Sequence, residues 1–129
     1  MEKSNQKFSL KSRVASFKYA INGFRTLLEY EHNARVHLLF TVFVIIVGFL
    51  LGISALEWAL IVFAIGFVFV AEVFNTCVEE ICNFICPEQN SKIKKVKDLA
   101  ALAVLLSAVT AVTVGLLILV PKVIALILK

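Results

Sequence analysis

Three apolar runs constrain this chain more than any other feature. Residues 38–51, 56–70 and 99–120 are dominated by Leu, Ile, Val, Phe and Ala. A hydrocarbon core about 30 Å thick needs roughly 20 apolar residues in helical form, and inside lipid every backbone polar group must find its partner within the protein. The runs therefore predict an all-α membrane protein with three transmembrane helices, at about 37–53, 57–82 and 98–120, in one domain of residues 1–129. Composition agrees, because 60% hydrophobic residues and a mean hydropathy of +0.94 exceed what a soluble domain of 129 residues needs for a core.

Ahead of the first run, Leu10, Val14, Phe17, Ile21, Phe24 and Leu28 recur every three or four residues, with Lys11, Arg13, Lys18 and Arg25 off that stripe. This spacing predicts an amphipathic helix over about 9–30. Its basic face suits the headgroup layer, where each basic residue near an anionic leaflet contributes on the order of 1 kcal/mol. The same pattern also fits a helix packed against the bundle. Met1 to Lys7 are polar and no apolar run with a small-residue cleavage site follows, so no removable signal peptide is expected.

The net charge of +4 is distributed as membrane orientation requires rather than as a nucleic-acid surface. Seven basic residues precede the first span, four (Lys92, Lys94, Lys95 and Lys97) lie between the second and third, and the Gly52 to Glu57 link has none. By the positive-inside rule the N-terminal helix and the lysine segment share the cytoplasmic side. The stretch from Phe84 to Lys97, with Pro87, reads as a loop or a broken helix.

Polar residues intrude at the end of the second run. Glu72, Asn75, Thr76 and Glu79 stand at i, i+3, i+4 and i+7 and so share one helical face. At 1.5 Å per residue Glu72 lies roughly 21 Å from Trp58 and Glu79 roughly 32 Å, which puts Glu72 near the inner headgroup boundary and Glu79 just beyond it. A carboxylate at such depth is costly and marks a functional site; Glu79 and Glu80 also fit a solvated helix end. Topology brings Glu31, Asn33 and Arg35 to the same membrane face, with Lys97 and Asp98. Carboxylates from different helices can hold Mg²⁺ through oxygen atoms alongside nucleotide phosphates. Asp98 also fits a helix N-cap, and Lys97 an ordinary positive-inside residue.

Other motifs exclude more than they assign. Cys77, Cys82 and Cys86 lack the spacing of a zinc site and read as reduced packing residues. His32 and His37 do not match HExxH spacing and read as interfacial polar residues. There is no P-loop, kinase-type glycine loop or GxSxG elbow.

Residues 16–20 (SFKYA) with Gly23, EHNARVH at 31–37, Glu57-Trp58, ExxNTxxE at 72–79 and KDLAA at 97–101 resemble the bacterial integral-membrane diacylglycerol kinase family, which includes undecaprenol kinases. The resemblance implies a homotrimer at the bacterial inner membrane, its active site at the cytoplasmic face, transferring the γ-phosphoryl of MgATP to a lipid hydroxyl. It makes Glu72 the general base, Glu31 and Glu79 the metal carboxylates, and Asn75 a neighbour of the transferred phosphate. Lys97 and Asp98 become nucleotide contacts, and Tyr19, Glu88 and the loop holding Asn90 fall where the family contacts ATP. Asn83 stands where the family usually has Asp, Asn90 where it often has His, and Leu102 replaces a common Gly. Two other readings are a non-catalytic assembly protein descended from the family and a small cation-coupled transport subunit. The second needs a polar path to the outer face, which residues 38–51 and 58–70 do not offer.

Overall fold

The computed structural model describes residues 10–128, and four helices account for nearly all of them: α1 (Leu10–Tyr30), α2 (His32–Leu51), α3 (Ala55–Ile85) and α4 (Ser91–Ile127). The expected helix start at residue 9, the stretch from Met1 to Lys7, and Lys129 lie outside the described residues. Helices α2, α3 and α4 are each long and apolar enough to cross a membrane.

All three outrun their apolar segments. With 31 residues α3 is about 46 Å long and with 37 residues α4 is about 55 Å, against a hydrocarbon core of about 30 Å. Local capping lets them extend into water. At the start of α3, Ser54 Oγ accepts from the Glu57 amide while Glu57 Oε2 accepts from the Ser54 amide at 2.6 Å, a reciprocal box that satisfies two otherwise unpaired donors. At the start of α4, Asn90 Oδ1 accepts from the amides of Lys92 and Ile93. Asn90, not Asp98, is therefore the N-cap, and the lysine segment expected to be loop or broken helix forms the first two turns of α4. Only residues 86–90 are non-helical there. Pro121 removes one bond from the α4 ladder, yet the helix continues to Ile127, past the expected end near Val120.

One residue separates α1 from α2. Glu31 is extended (φ −102°, ψ 113°), so α2 begins at His32, within the polar segment rather than after it. The open carbonyls at the end of α1 are met by Arg35, whose Nε donates to Leu28 O at 2.6 Å and whose Nη2 donates to Glu29 O. Leu27 and Ala34 are buried at this junction. Phe24 of α1 meets Phe69 of α3 with ring centroids 5.9 Å apart, so this part of α1 touches the bundle.

Helices α3 and α4 pack along each other most extensively, and α2 touches both more lightly. The apolar centre lies toward the α2–α3 link, where buried Ile53, Ile61 and Ile118 pack with Val44, Trp58, Ile65 and Val114. Gly48 lets the Trp58 ring lie against α2: a Cβ there would come within 2.9 Å of Trp58 Cη2. Gly52 ends α2 in the left-handed region at φ 59°, where an L side chain is strained. Outside this centre, large side chains such as Leu39, Phe49, Phe63, Leu105 and Leu117 point outward. Such a surface is untenable in water and is what a bilayer-facing helix presents.

Candidate functional site

Glu72 is on the inside of α3, with 1% of its surface exposed. Its neighbour is His37 of α2, whose Nε2 lies 3.1 Å from Glu72 Oε1. The contact is within ion-pair distance but off-angle for a hydrogen bond, and Oε1 accepts none among the described residues. One turn along α3, Asn75 is also buried; its Nδ2 donates to Glu79 Oε1 at 3.2 Å, while its Oδ1 is buried and accepts nothing among the described residues. Leaving a buried polar atom without a partner costs about 1–3 kcal/mol, so two such atoms one turn apart mark a place held ready for something other than folding. The charges of Glu31, at the α1–α2 junction, and of Glu79 are both close enough to act on the Glu72 carboxyl.

The remaining sequence-selected residues divide sharply. Thr76 turns its hydroxyl back to Glu72 O at 3.0 Å, so it completes the helix rather than the polar face. Lys97, half-buried, donates through Nζ to Asn83 Oδ1 at 2.6 Å and ties α4 to α3. Asp98 is exposed and paired with Lys94 at 2.8 Å. Tyr19 lies exposed on α1, and Glu88 is exposed in the 86–90 loop, where its carbonyl accepts from Cys86 Sγ. Asn90 spends its Oδ1 on the α4 cap. The chain therefore gathers Glu72, Asn75 and Glu79, with Glu31 nearby; Lys97 joins α3 one turn further on at Asn83, and Tyr19, Glu88 and Asp98 are exposed.

Among the described residues, no three His, Cys, Asp or Glu side chains of one chain converge on a metal position. The donors that are present, the carboxylates of Glu31 and Glu79 and the orphaned Oδ1 of Asn75, are all oxygens. That is the set a hard cation such as Mg²⁺ takes, with water and phosphate completing its shell. The residues fit the ion as partial ligands.

His37 is the site residue that sequence reasoning missed. Its link to Glu72 joins two helices 35 positions apart (72 minus 37), a separation no local spacing encodes. His37 also opens onto a groove of about 560 Å³ between α2, α3 and α4 that runs along α4 from Ala108 to Ile124. Its walls are apolar apart from His37 and Thr41.

The chain matches the family model for prokaryotic diacylglycerol kinase over residues 18–119. It is 34% identical over 122 residues to an undecaprenol kinase of Bacillus subtilis (strain 168), an alignment covering 95% of this chain and 99% of that protein. With a diacylglycerol kinase of Synechocystis sp. it shares 32% identity over 114 residues, 88% of this chain and 65% of that protein. No solved structure matches it. The buried carboxylate on a membrane helix, its amide neighbour and the agreement along most of the sequence converge, and the chain belongs to the prokaryotic diacylglycerol kinase family.

Proposed function

We propose that this membrane lipid kinase transfers the γ-phosphoryl group of ATP to the hydroxyl of a membrane lipid alcohol, diacylglycerol or undecaprenol, giving phosphatidic acid or undecaprenyl phosphate. The observation that carries the reading is Glu72, buried beside His37 and one turn from the Asn75–Glu79 pair, next to an apolar groove. The alignment that covers both chains almost end to end is with an undecaprenol kinase, which supports undecaprenol as the first acceptor to test.

Phosphoryl transfer needs positioning and charge neutralisation more than covalent chemistry. In this reading Glu72 supplies the basicity that removes the hydroxyl proton, from the depth at which a lipid hydroxyl resides. Glu31 and Glu79 hold Mg²⁺, and Asn75 orients the transferred phosphate through the amide that Glu79 fixes. When bound, Mg²⁺ neutralises charge on the phosphate oxygens. Lys97 and Asp98, with Tyr19, Glu88 and Asn90, contact the nucleotide. Tyr19 and Glu88 make no contact with the carboxylates among the described residues, which supports a homotrimer whose sites are completed between protomers. The lysine-rich start of α4 supports a cytoplasmic active site in a bacterial inner membrane, with α1 bordering the headgroups.

Purified protein given each lipid with labelled ATP and Mg²⁺ tests the reading. Transfer to at least one lipid, abolished in Glu72→Gln, is expected. No transfer to either, with Glu72→Gln indistinguishable from wild type, overturns it in favour of a non-catalytic assembly protein.

A further inference from the structure

Where α3 and α4 flank the 86–90 loop, Lys97 Nζ donates to Asn83 Oδ1 at 2.6 Å and joins the two helices. Asn75, Glu79 and Asn83 stand at i, i+4 and i+8 on α3 and so share one face, with Asn83 about 6 Å along the helix from Glu79. The bond therefore holds a half-buried cation one turn from a carboxylate assigned above to Mg²⁺. What Asn83 supplies is an oxygen without a charge. Asp98, next to Lys97 in sequence, is paired with Lys94 at 2.8 Å. Among the described residues no carboxylate lies within ion-pair distance of Lys97. An ammonium has three donors and no acceptor, so the bond to Asn83 restricts this one while leaving donors for a ligand. A long lysine side chain loses rotamer freedom when it grips a ligand; Asn83 has already removed part of that freedom.

We propose that Asn83 is a positioning residue for the nucleotide: it fixes the Lys97 ammonium near Glu79 and leaves its charge uncompensated, so that the phosphates of ATP supply the counter-charge. The proposal rests on the lipid-kinase reading above, with Lys97 as a nucleotide contact. The neutrality of the amide decides the effect. A carboxylate at the same position would pair with Lys97, and ATP would have to break that pair to reach the ammonium. A neutral carbonyl holds the ammonium without competing for its charge, because hydrogen bonds between two ionised groups are roughly twice as strong as neutral ones. A polyphosphate with one Mg²⁺ bound still carries net negative charge, which a second, prearranged cation close by neutralises at no cost in reorganisation. The same bond also ties α4 to α3. Asn83 is exposed, so a substitution there disturbs no packing, and a carboxylate keeps the tie while removing the uncompensated charge.

The test uses the full chain in lipid vesicles with labelled ATP and Mg²⁺. Asn83→Asp is expected to keep or raise the thermal midpoint, since an ion pair still joins α3 to α4. It should raise KM for ATP about tenfold, the loss of one hydrogen bond between charged groups, with kcat and KM for the lipid within about twofold. KM for ATP should also climb less steeply with salt than in wild type, because one uncompensated cation has been removed. Asn83→Ala releases the ammonium without adding a charge. It should raise KM for ATP about threefold in the wild-type background and leave it unchanged in a Lys97→Met background, because Asn83 acts through that lysine. Asn83→Asp that keeps KM for ATP within about twofold of wild type overturns the proposal. So do additive effects of Asn83→Ala and Lys97→Met on that KM, which leave the bond as a tie between helices and nothing more. A wild-type protein inactive on both lipids overturns the kinase reading itself, and the role of Asn83 falls with it.

Discussion

Helix α3 carries a carboxylate paired with a basic side chain near each end of its membrane segment, and the two pairs are built differently. Glu57 accepts from the Ser54 amide and lies 3.2 Å from Lys122 Nζ of α4, so each of its interactions has a local purpose: one starts a helix, the other ties the helix to its neighbour. Glu72 is far more buried, its contact with His37 is off-angle, and its Oε1 accepts no aligned hydrogen bond among the described residues. A carboxylate used to stabilise a fold has its valences filled. One used for chemistry keeps a valence open and bears the cost, which the surrounding packing offsets.

The sharpest way to break this contrast is to neutralise both carboxylates separately. Glu72→Gln should reduce transfer by about 10²–10⁴-fold, the range of general acid–base catalysis, without lowering the unfolding midpoint. Glu57→Gln should leave transfer within about twofold while lowering thermal stability. Equal losses of activity in the two variants would erase the distinction. Next in size, Glu79→Gln should raise the Mg²⁺ concentration for half-maximal activity by about 10–100-fold, the effect typical of a lost metal-site partner, as measured by a Mg²⁺ titration at fixed ATP. An unchanged titration removes Glu79 from the ion. Smaller again, Gly52→Ala, at φ 59°, should cost about 1–2 kcal/mol in denaturant unfolding with activity retained. Ser54→Ala, which removes half of the capping box, should cost about 1 kcal/mol.

The four-helix layout was legible because lipid imposes long apolar runs and the three- to four-residue spacing of apolar side chains before them is a local signal. The helix ends were less legible. Apolar composition stops where the hydrocarbon stops, whereas helical hydrogen bonding stops where a cap is available. Hence α4 is capped by Asn90 and begins at Ser91 rather than near Asp98, and α2 begins inside the polar segment. The polar face of α3 was readable from its spacing, but the division of labour within it was not. Spacing groups Thr76 with Glu72 and Asn75, yet its hydroxyl serves its own helix. His37 reads as an interfacial histidine from sequence, since its meaning comes only from the packing of α2 on α3. Asn83, which stands where the family usually has Asp, receives Lys97 at its Oδ1 as a neutral acceptor.

Because α3 and α4 outlast the hydrocarbon, the chain works in two solvents, and ionic strength should separate them. Counting about 30 Å inward from the Glu57–Lys122 pair leaves roughly 12 Å of α3 and 16 Å of α4 standing in water. There the lysines at 92, 94, 95 and 97 act across a Debye length of about 8 Å at physiological salt. On the proposed role of Lys97 at the nucleotide, raising salt should weaken its attraction for the anion, seen as a rising KM for ATP. The His37–Glu72 contact, buried among helices, is screened much less, so kcat at saturating substrates should hold.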